Sequence, residues 1–416
     1  MAPVTIAVIG AGSRGSGYAR YAAEHPDQAR IVAVAEPRDA YRERLVAQHS
    51  IPAQHVFADW QDAAAAPKLA DAVLICTQDA MHVGPAVAFA RAGYHILLEK
   101  PMATDEAGCR QIVAAVRQAG VQFAVAHVSR YTPYTQRLKA IIDAGTIGDI
   151  VCLQRLEPVG YWHQAHSFVR GNWRNEAESS FMLLAKSCHD LDWIRHIMGV
   201  PCQAVSSFGS LQHFRAEEAP EGAAERCLDC GVEADCPYSA RRYYLDKLAS
   251  GHTGWPLDVL TPEPTVATVT AALREGPYGR CVYHCDNDVV DNQVVNLEFA
   301  GGRSASFTMT AFTEAAGRRT EIFGTRGHIR GDGQHLHIFD FLSNETQHID
   351  TAATDASILG GHGGGDFGLM AGFLRAISEN DDAHILSGPE ETLETHLMVF
   401  AAERARHERR VVDVEV

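Results

Sequence analysis

The sequence predicts an α/β protein: a doubly wound parallel sheet, then a second α/β domain containing an antiparallel sheet. Three observations carry that prediction. An apolar, β-branched run from Val4 to Ile9 passes directly into Gly10-Ala11-Gly12-Ser13-Arg14-Gly15 and a helical stretch from Tyr18 to Ala23. Apolar strands and helical segments then alternate as far as Ala126, as they do in successive βαβ units. Later the period becomes two. Val295, Leu297 and Phe299, then Ala305, Phe307 and Met309, alternate with polar neighbours on either side of Gly301-Gly302, which reads as a hairpin with one buried face.

In the opening segment a buried strand, a tight turn and a helix N-terminus make a phosphate cradle. The first glycine permits the turn, the second lets a pyrophosphate approach the backbone, and the third lets helix and strand pack closely. The helix start offers unpaired N–H groups and a partial positive charge. The second strand, Ile31–Ala35, ends in Glu36, 24 residues past Gly12, where a dinucleotide fold places a carboxylate on the adenosine ribose. Glu36 would repel a 2′-phosphate, so NAD is expected over NADP, while Arg38 leaves NADP open.

The remaining elements follow in order. Residues 39–49 read as a helix. Ala72–Cys76 is a buried strand ending in Thr77-Gln78-Asp79 and Met81-His82, and a helix from Pro85 to Arg91 stops at Gly93. Tyr94–Leu98 is a strand ending in Glu99-Lys100-Pro101. Thr104 is expected to cap a helix over 105–119, and Val121–Ala126 closes the first sheet. Ligands of such sheets lie beyond the carboxyl ends of the strands, where Gly10, Glu36, Thr77, Lys100 and His127 fall. After His127 the expectations are a helix over 135–143, strands over 150–157, 203–213, 292–299, 303–312, 320–323 and 335–341, and a helix from Asp190 to Met198. Residues 215–280, rich in Pro, Gly and Glu, read as an insertion or long loop. Gly360-Gly361-His362-Gly363-Gly364-Gly365-Asp366 leads into a helix over 367–379, and a last helix covers about 390–407.

A chain of 416 residues exceeds one ordinary core, so two domains are expected, 1–126 and 127–416, with the cysteine-containing insertion at about 215–285. Apolar content of 46% and charged content of 21% fit a globular protein. A formal charge of −16 argues against nucleic acid or an anionic membrane as main partner. No apolar run is long enough to span a bilayer. The first strand begins too early to leave room for a signal peptide, so a cytoplasmic location is expected. Of the ten cysteines, Cys76, Cys109, Cys152 and Cys202 sit singly in apolar surroundings and read as small buried hydrophobes. A disulfide framework is not expected in a reducing compartment.

Six features together resemble the Gfo/Idh/MocA family of dinucleotide-dependent sugar and inositol oxidoreductases. They are the glycine fingerprint, the Thr77 to His82 loop, Glu99-Lys100-Pro101, His127 with Arg130-Tyr131 and Pro133, His189 with Asp192, and the glycine-rich 360–366 segment. The resemblance implies a Rossmann domain followed by an α/β domain whose open, mostly antiparallel sheet forms a homodimer or homotetramer interface. It implies Lys100 and His189 as the catalytic pair. It assigns cofactor binding to Gly10, Gly12, Ser13, Arg14, Gly15, Glu36 and Arg38 around the turn, and to Thr77, Gln78, His82, Glu99 and Lys100 at the neighbouring strand ends. Moving a hydride from a secondary alcohol to NAD needs a base for the hydroxyl proton and a donor for the developing alkoxide. Lysine and histidine can share those tasks in either order. A buried structural role is the competing reading of His189.

One departure matters. Where the family usually carries an aspartate four residues before the histidine, this chain has Ala185, followed by Lys186. The segment from Tyr161 to Arg174 is dense in aromatics and cations. Aromatic faces pack on sugar rings, and Arg or Lys clamps an anion, so His127, Tyr131, His163, Arg170, Trp173, Arg174 and Lys186 are expected toward a sugar or glycoside, including an anionic one. An aromatic loop packing at the domain interface is the alternative. Some relatives are redox-neutral, NAD-dependent glycosidases, including sulfoquinovosidases, so net dehydrogenase and net glycosidase both remain open. A non-catalytic NAD-binding regulator is a third reading, disfavoured by Lys100 and His189 occurring together. Asp286, Asp288 and Asp291 read as a polar turn.

Cys227-x-x-Cys230-x5-Cys236 has the spacing of a structural zinc site. A fourth ligand would come from Cys281, His284 or Cys285, with Cys285 taken as the choice. Free thiols in a loop of low apolar content are the alternative.

Overall fold

The protein is described by a computed structural model over residues 2–352 and 363–415. Gly360, Gly361 and His362 of the glycine-rich segment lie outside the described residues. The first sheet comprises β1 (Val4–Ile9), β2 (Ala29–Ala35), β3 (Val56–Phe57), β4 (Ala72–Ile75), β5 (His95–Leu98) and β6 (Phe123–Val125). Its order is β3-β2-β1-β4-β5-β6 and every pairing is parallel. The order reverses between β1 and β4, and there the loops after the two strands part and leave a crevice for a ligand.

The second sheet has nine strands: β7 (Ile150–Pro158), β8 (Cys202–Ser210), β9 (Asn292–Phe299), β10 (Arg303–Thr310), β11 (Arg319–Gly324), β12 (Gly327–Gly331), β13 (His335–Asp340), β14 (Glu345–Asp350) and β15 (Val412–Asp413). Their order is β14-β13-β12-β11-β7-β10-β9-β8-β15, antiparallel except for β7 with β10. The expected hairpin is β9–β10. Gly301 and Gly302 turn it at φ +81° and +76°, and Val295, Leu297, Phe299, Phe307 and Met309 are buried beneath it. β12 and β14 were not expected. β14 carries no buried residue, so no apolar alternation marks it.

Helices cover one face of this sheet. The helix Met182–Met198 begins eight residues before the expected Asp190. It is buried almost all round, so it shows no apolar stripe from which to read a start. The helix Glu106–Ala119 is capped by Asp105, which accepts from the Gly108 N–H at 2.7 Å, rather than by Thr104. Near the other end of the chain, the helix Gly365–Glu379 packs Leu369, Met370 and Phe373 into the same core as Ile6 and Val8 of β1. No described helix is long and apolar enough to cross a membrane.

The stretch read as a loop of low apolar content has a core of its own. Ala240, Tyr244, Leu257, Val269, Leu273 and Tyr278 are buried together with Cys227. Apart from the helix Val266–Glu275, these residues sit on a helical run over 240–249 whose first part is π-helical and on single turns at Cys227–Asp229, Leu257–Leu260 and Pro277–Gly279. Single turns are too short to show a 3.6-residue period, and the π-helical stretch departs from that period.

Candidate active site

The glycine turn is built from close backbone approaches. A Cβ on Gly10, which has φ +92°, would lie 2.5 Å from the Cys76 carbonyl oxygen, and one on Gly15 would lie 2.0 Å from that of Gly10. Gly12 differs, since its Cβ would meet nothing nearer than Arg38 Nη2 at 3.3 Å. The helix Ser13–Glu24 starts from Gly12 with no side-chain cap, leaving its first turn to an anion. Glu36 is buried. Its carboxylate accepts from the Ala11 N–H at 2.8 Å and from Arg38 Nε at 2.7 Å. Burial works against its ionised form, but Arg38 and these N–H groups hold it below the usual carboxylate range. Thr77 Oγ1, at the end of β4, is buried without a hydrogen-bond partner among the described residues. An open glycine face, an uncapped helix start, a buried carboxylate and an orphaned hydroxyl fit a dinucleotide.

The neighbouring residues divide between facing that crevice and supporting it. Ser13 is exposed at the head of the helix. Arg14 turns inward instead, pairing with Glu99 at 2.5 Å and Asp366 at 2.6 Å. Tyr18 donates to Glu99 at 2.9 Å beside it. His82 is fully buried and faces the carbonyls of Pro101 at 2.7 Å and Thr77 at 3.3 Å, tying the two strand-end loops together. Gln78 precedes the turn at Asp79–Met81. Asp79 accepts from the Trp173 indole N–H at 3.1 Å, so this loop reaches the second domain.

The two domains also meet at Lys100. Its Nζ donates to the Ala185 carbonyl at 2.7 Å. Ala185 sits one turn before His189 on the helix Met182–Met198, so the ammonium from the first domain reaches the helix that carries the imidazole. Arg318 Nη2 lies 2.9 Å from His189 Nε2. A guanidinium only donates, so Nε2 accepts and the ring proton is on Nδ1. Arg318 also pairs with Asp190 at 2.7 Å and Glu157 at 2.9 Å. Glu157 pairs with Lys186 at 3.0 Å, and Asp190 with Arg155 at 2.9 Å. Burial opposes ionisation of Asp190, and the two arginines still hold its pKa below the ordinary value. Lys186, Arg318 and Arg155 therefore share two carboxylates, and Lys100 adds a further cation. Sequence reading missed Arg318, Glu157 and Asp190. The adjacent pair Arg318-Arg319 at the head of a strand was the available signal.

Of the residues expected toward a substrate, His163 and Lys186 lie in this region. His163 is pushed well below its ordinary pKa by burial and then by Lys186. It stands edge-on to Trp255 of the insertion at 5.4 Å. Trp173 is 37% exposed. The other residues are spent on structure. His127 is fully buried 3.6 Å from Asp192 and held to about 3 by burial. Asp192 is clamped at 2.7 Å by two nitrogens of the buried Arg130. Tyr131 accepts from the Leu386 N–H at 2.8 Å. Arg174 makes two bonds to Asp286, at 2.9 and 3.0 Å, and pairs with Glu178 at 3.0 Å. Arg170 is 2% exposed and donates to the Arg280 and Tyr238 carbonyls at 2.7 and 2.8 Å. It lies on a π-helix, Gln164–Arg170, that turns it toward the insertion. Arg170 and Arg174 are thus committed to protein partners outside this region, while Lys186 and Arg318 stand beside His189, paired with Glu157 and Asp190.

Cys227, Cys230, Cys236 and Cys281 line one enclosed cavity in the insertion. Cys285 is beside it, its thiol 3.2 Å from the Cys281 carbonyl, and the structure brings Cys281 rather than Cys285 to the cavity. Burial pushes the Cys281 thiol up to about 11, with the neighbouring thiols of Cys227 and Cys230 adding to the effect.

Two family models match almost all of this chain. Residues 4–127 match the oxidoreductase family with NAD-binding Rossmann fold, and residues 139–414 match that family's C-terminal α/β domain. YteT of Bacillus subtilis (strain 168) is 25% identical over 332 residues, covering 77% of this chain and 76% of its own. The 2,7-anhydro-N-acetylneuraminate hydratase of Escherichia coli (strain K12) is 28% identical over 211 residues, 50% of this chain and 54% of the hydratase. The chain thus spans about half of that relative. The fold matches that of levoglucosan dehydrogenase in complex with NADH and levoglucosan, at a TM-score of 0.74, 19% identity and full coverage of both chains. With both of its halves accounted for, the chain belongs to the Gfo/Idh/MocA oxidoreductase family and carries that family's NAD-binding Rossmann domain.

Proposed function

We propose that this protein uses NAD, in preference to NADP, to oxidise a secondary hydroxyl of a sugar or glycoside bearing an anionic group. The observation that carries the reading is the 2.7 Å bond from Lys100 Nζ to Ala185 O, which joins the dinucleotide domain to the helix of His189. Bound at the glycine turn, NAD supplies the hydride acceptor. The protein's own groups manage the proton and the charge. Lys100 keeps two further N–H bonds for the substrate oxygen and stabilises negative charge as it develops there. His189 Nε2 presents a lone pair, now facing Arg318, and a hydroxyl taking the place of that contact would lose its proton to it. Lys186 and Arg318 attract a carboxylate, phosphate or sulfonate, and Trp173 with His163 offers ring faces to the sugar.

A second reading, redox-neutral elimination or hydration with the hydride returned, is favoured by two observations. The family's aspartate is replaced by Ala185, and a relative is named a hydratase. The test is a panel of p-nitrophenyl glycosides, with acidic and sulfonated sugars included, following NADH and released aglycone together. Accumulating NADH supports a net dehydrogenase. Aglycone release without net NADH supports the redox-neutral reading. Binding of NAD with neither signal on any sugar overturns both. The outer face of the second sheet exposes Val151, Phe208 and Val294, and we assign it to a homodimer or homotetramer contact, to be checked by light scattering.

A further inference from the structure

We propose that Cys227, Cys230, Cys236 and Cys281 hold a structural zinc ion that fixes the insertion against the sugar-facing wall. The topology makes the site. Arg226 pairs with Arg280 in an isolated antiparallel bridge, and the Cys281 N–H donates to the Glu225 carbonyl at 2.9 Å. Cys227 and Cys281 thereby become neighbours although 54 residues separate them. Tight turns at Cys227–Asp229 and Glu233–Asp235 bring Cys230 and Cys236 back to the same point. The cavity that the four cysteines share is about 10 Å³, room for one water-sized occupant. No three of the four sulfurs lie within 4.8 Å of one another, so closing on an ion at about 2.3 Å per bond requires them to draw together when the ion binds.

A second observation, independent of the spacing, points to negative charge at this place. Arg170 is 2% exposed and lies within 4.0 Å of no carboxylate among the described residues. Its guanidinium donates to two carbonyls and, at 3.5 Å, to Cys227 Sγ. Buried cations are normally paired. Four thiolates around a divalent cation leave a double negative charge, and Arg170 donates into it. Four thiolates leave no open position, so the ion holds structure and carries no reaction step.

The structural consequence is specific. The insertion supplies Trp255 and Tyr243, which pack on Trp162 at 5.7 and 5.1 Å, and Tyr244, which bonds His166 at 2.7 Å. Metal analysis of the full-length chain, purified without chelator, is expected to give one zinc per chain. Cys281→Ser is expected to lose that zinc, and Cys285→Ser to keep it. Releasing the metal from the wild type with a thiol-blocking mercurial should lower the unfolding midpoint and leave NAD affinity unchanged. Any of three results overturns the proposal: four freely titrating thiols with no bound metal, a disulfide among these cysteines, or full zinc in Cys281→Ser. All of these readouts are independent of turnover, so they stand whether or not the sugar assignment holds.

Discussion

The glycine turn and the cysteine cluster of the insertion are two parts of the molecule made in opposite ways. The turn is local. Six consecutive residues bend the chain, and backbone atoms do the work, with Gly10 and Gly15 pressed against carbonyl oxygens. The insertion is non-local, since a single β-bridge between Arg226 and Arg280 brings its pieces together. A local site tolerates little change at its own positions and is indifferent to distant ones. A non-local site depends on the segment between its parts, which here has a small core centred on Tyr244 and Leu273.

The largest expected effect tests the local half of this contrast. Gly10→Ala drives a methyl to 2.5 Å from the Cys76 carbonyl at φ +92°. It should abolish measurable NAD binding in calorimetry and cost more than about 2 kcal/mol of stability. Gly301→Ala also sits at positive φ, but with nothing within 4 Å of the new methyl. It should cost about 1 kcal/mol and leave NAD affinity intact.

Next comes the contact that joins the domains. Lys100→Met removes the donor to Ala185 and should lower turnover about 10²- to 10³-fold with NAD affinity within a few-fold, measured by steady-state kinetics and calorimetry.

A smaller effect appears with pH. His127, against Asp192, and His166, against the insertion, are both held to about 3, primarily by burial, whereas an unfolded histidine titrates near about 6.5. The unfolded chain binds the extra protons. Stability is therefore complete above about pH 6.5 and falls toward about pH 3, by up to about 1.4 kcal/mol per pH unit for each ring. Urea midpoints between pH 7.5 and 5 should show the decline, and His166→Phe should flatten it only in part.

The smallest effect is expected at Arg174→Ala. Its partners Asp286 and Glu178 are 51% and 58% exposed, so stability should change by less than about 1 kcal/mol. Affinity for an anionic sugar should shift by no more than a few-fold in a titration.

What could be read in advance follows the same division. β1, β2, β4, β5 and the β9–β10 hairpin announce themselves through apolar period and glycine. The crevice at Gly10, Glu36 and Thr77 follows from those strand ends. Arg318 could not be found this way. It lies 129 residues from the imidazole it touches, and the Arg318-Arg319 pair at the head of β11 marks a cation there without saying what it meets. Arg174 reads in sequence as an unpaired cation because its acceptor, Asp286, lies 112 residues away. The helix of His189 began earlier than expected because a rod buried on every side carries no stripe.

The helix Gly365–Glu379 lies against β1, with Asp366 gripping Arg14. A ribosome will have made nearly the whole chain before its opening strand finds this cover. A fragment cut after the sixth strand should therefore emerge with a bare apolar flank and come out of solution, even though it contains every strand of its sheet.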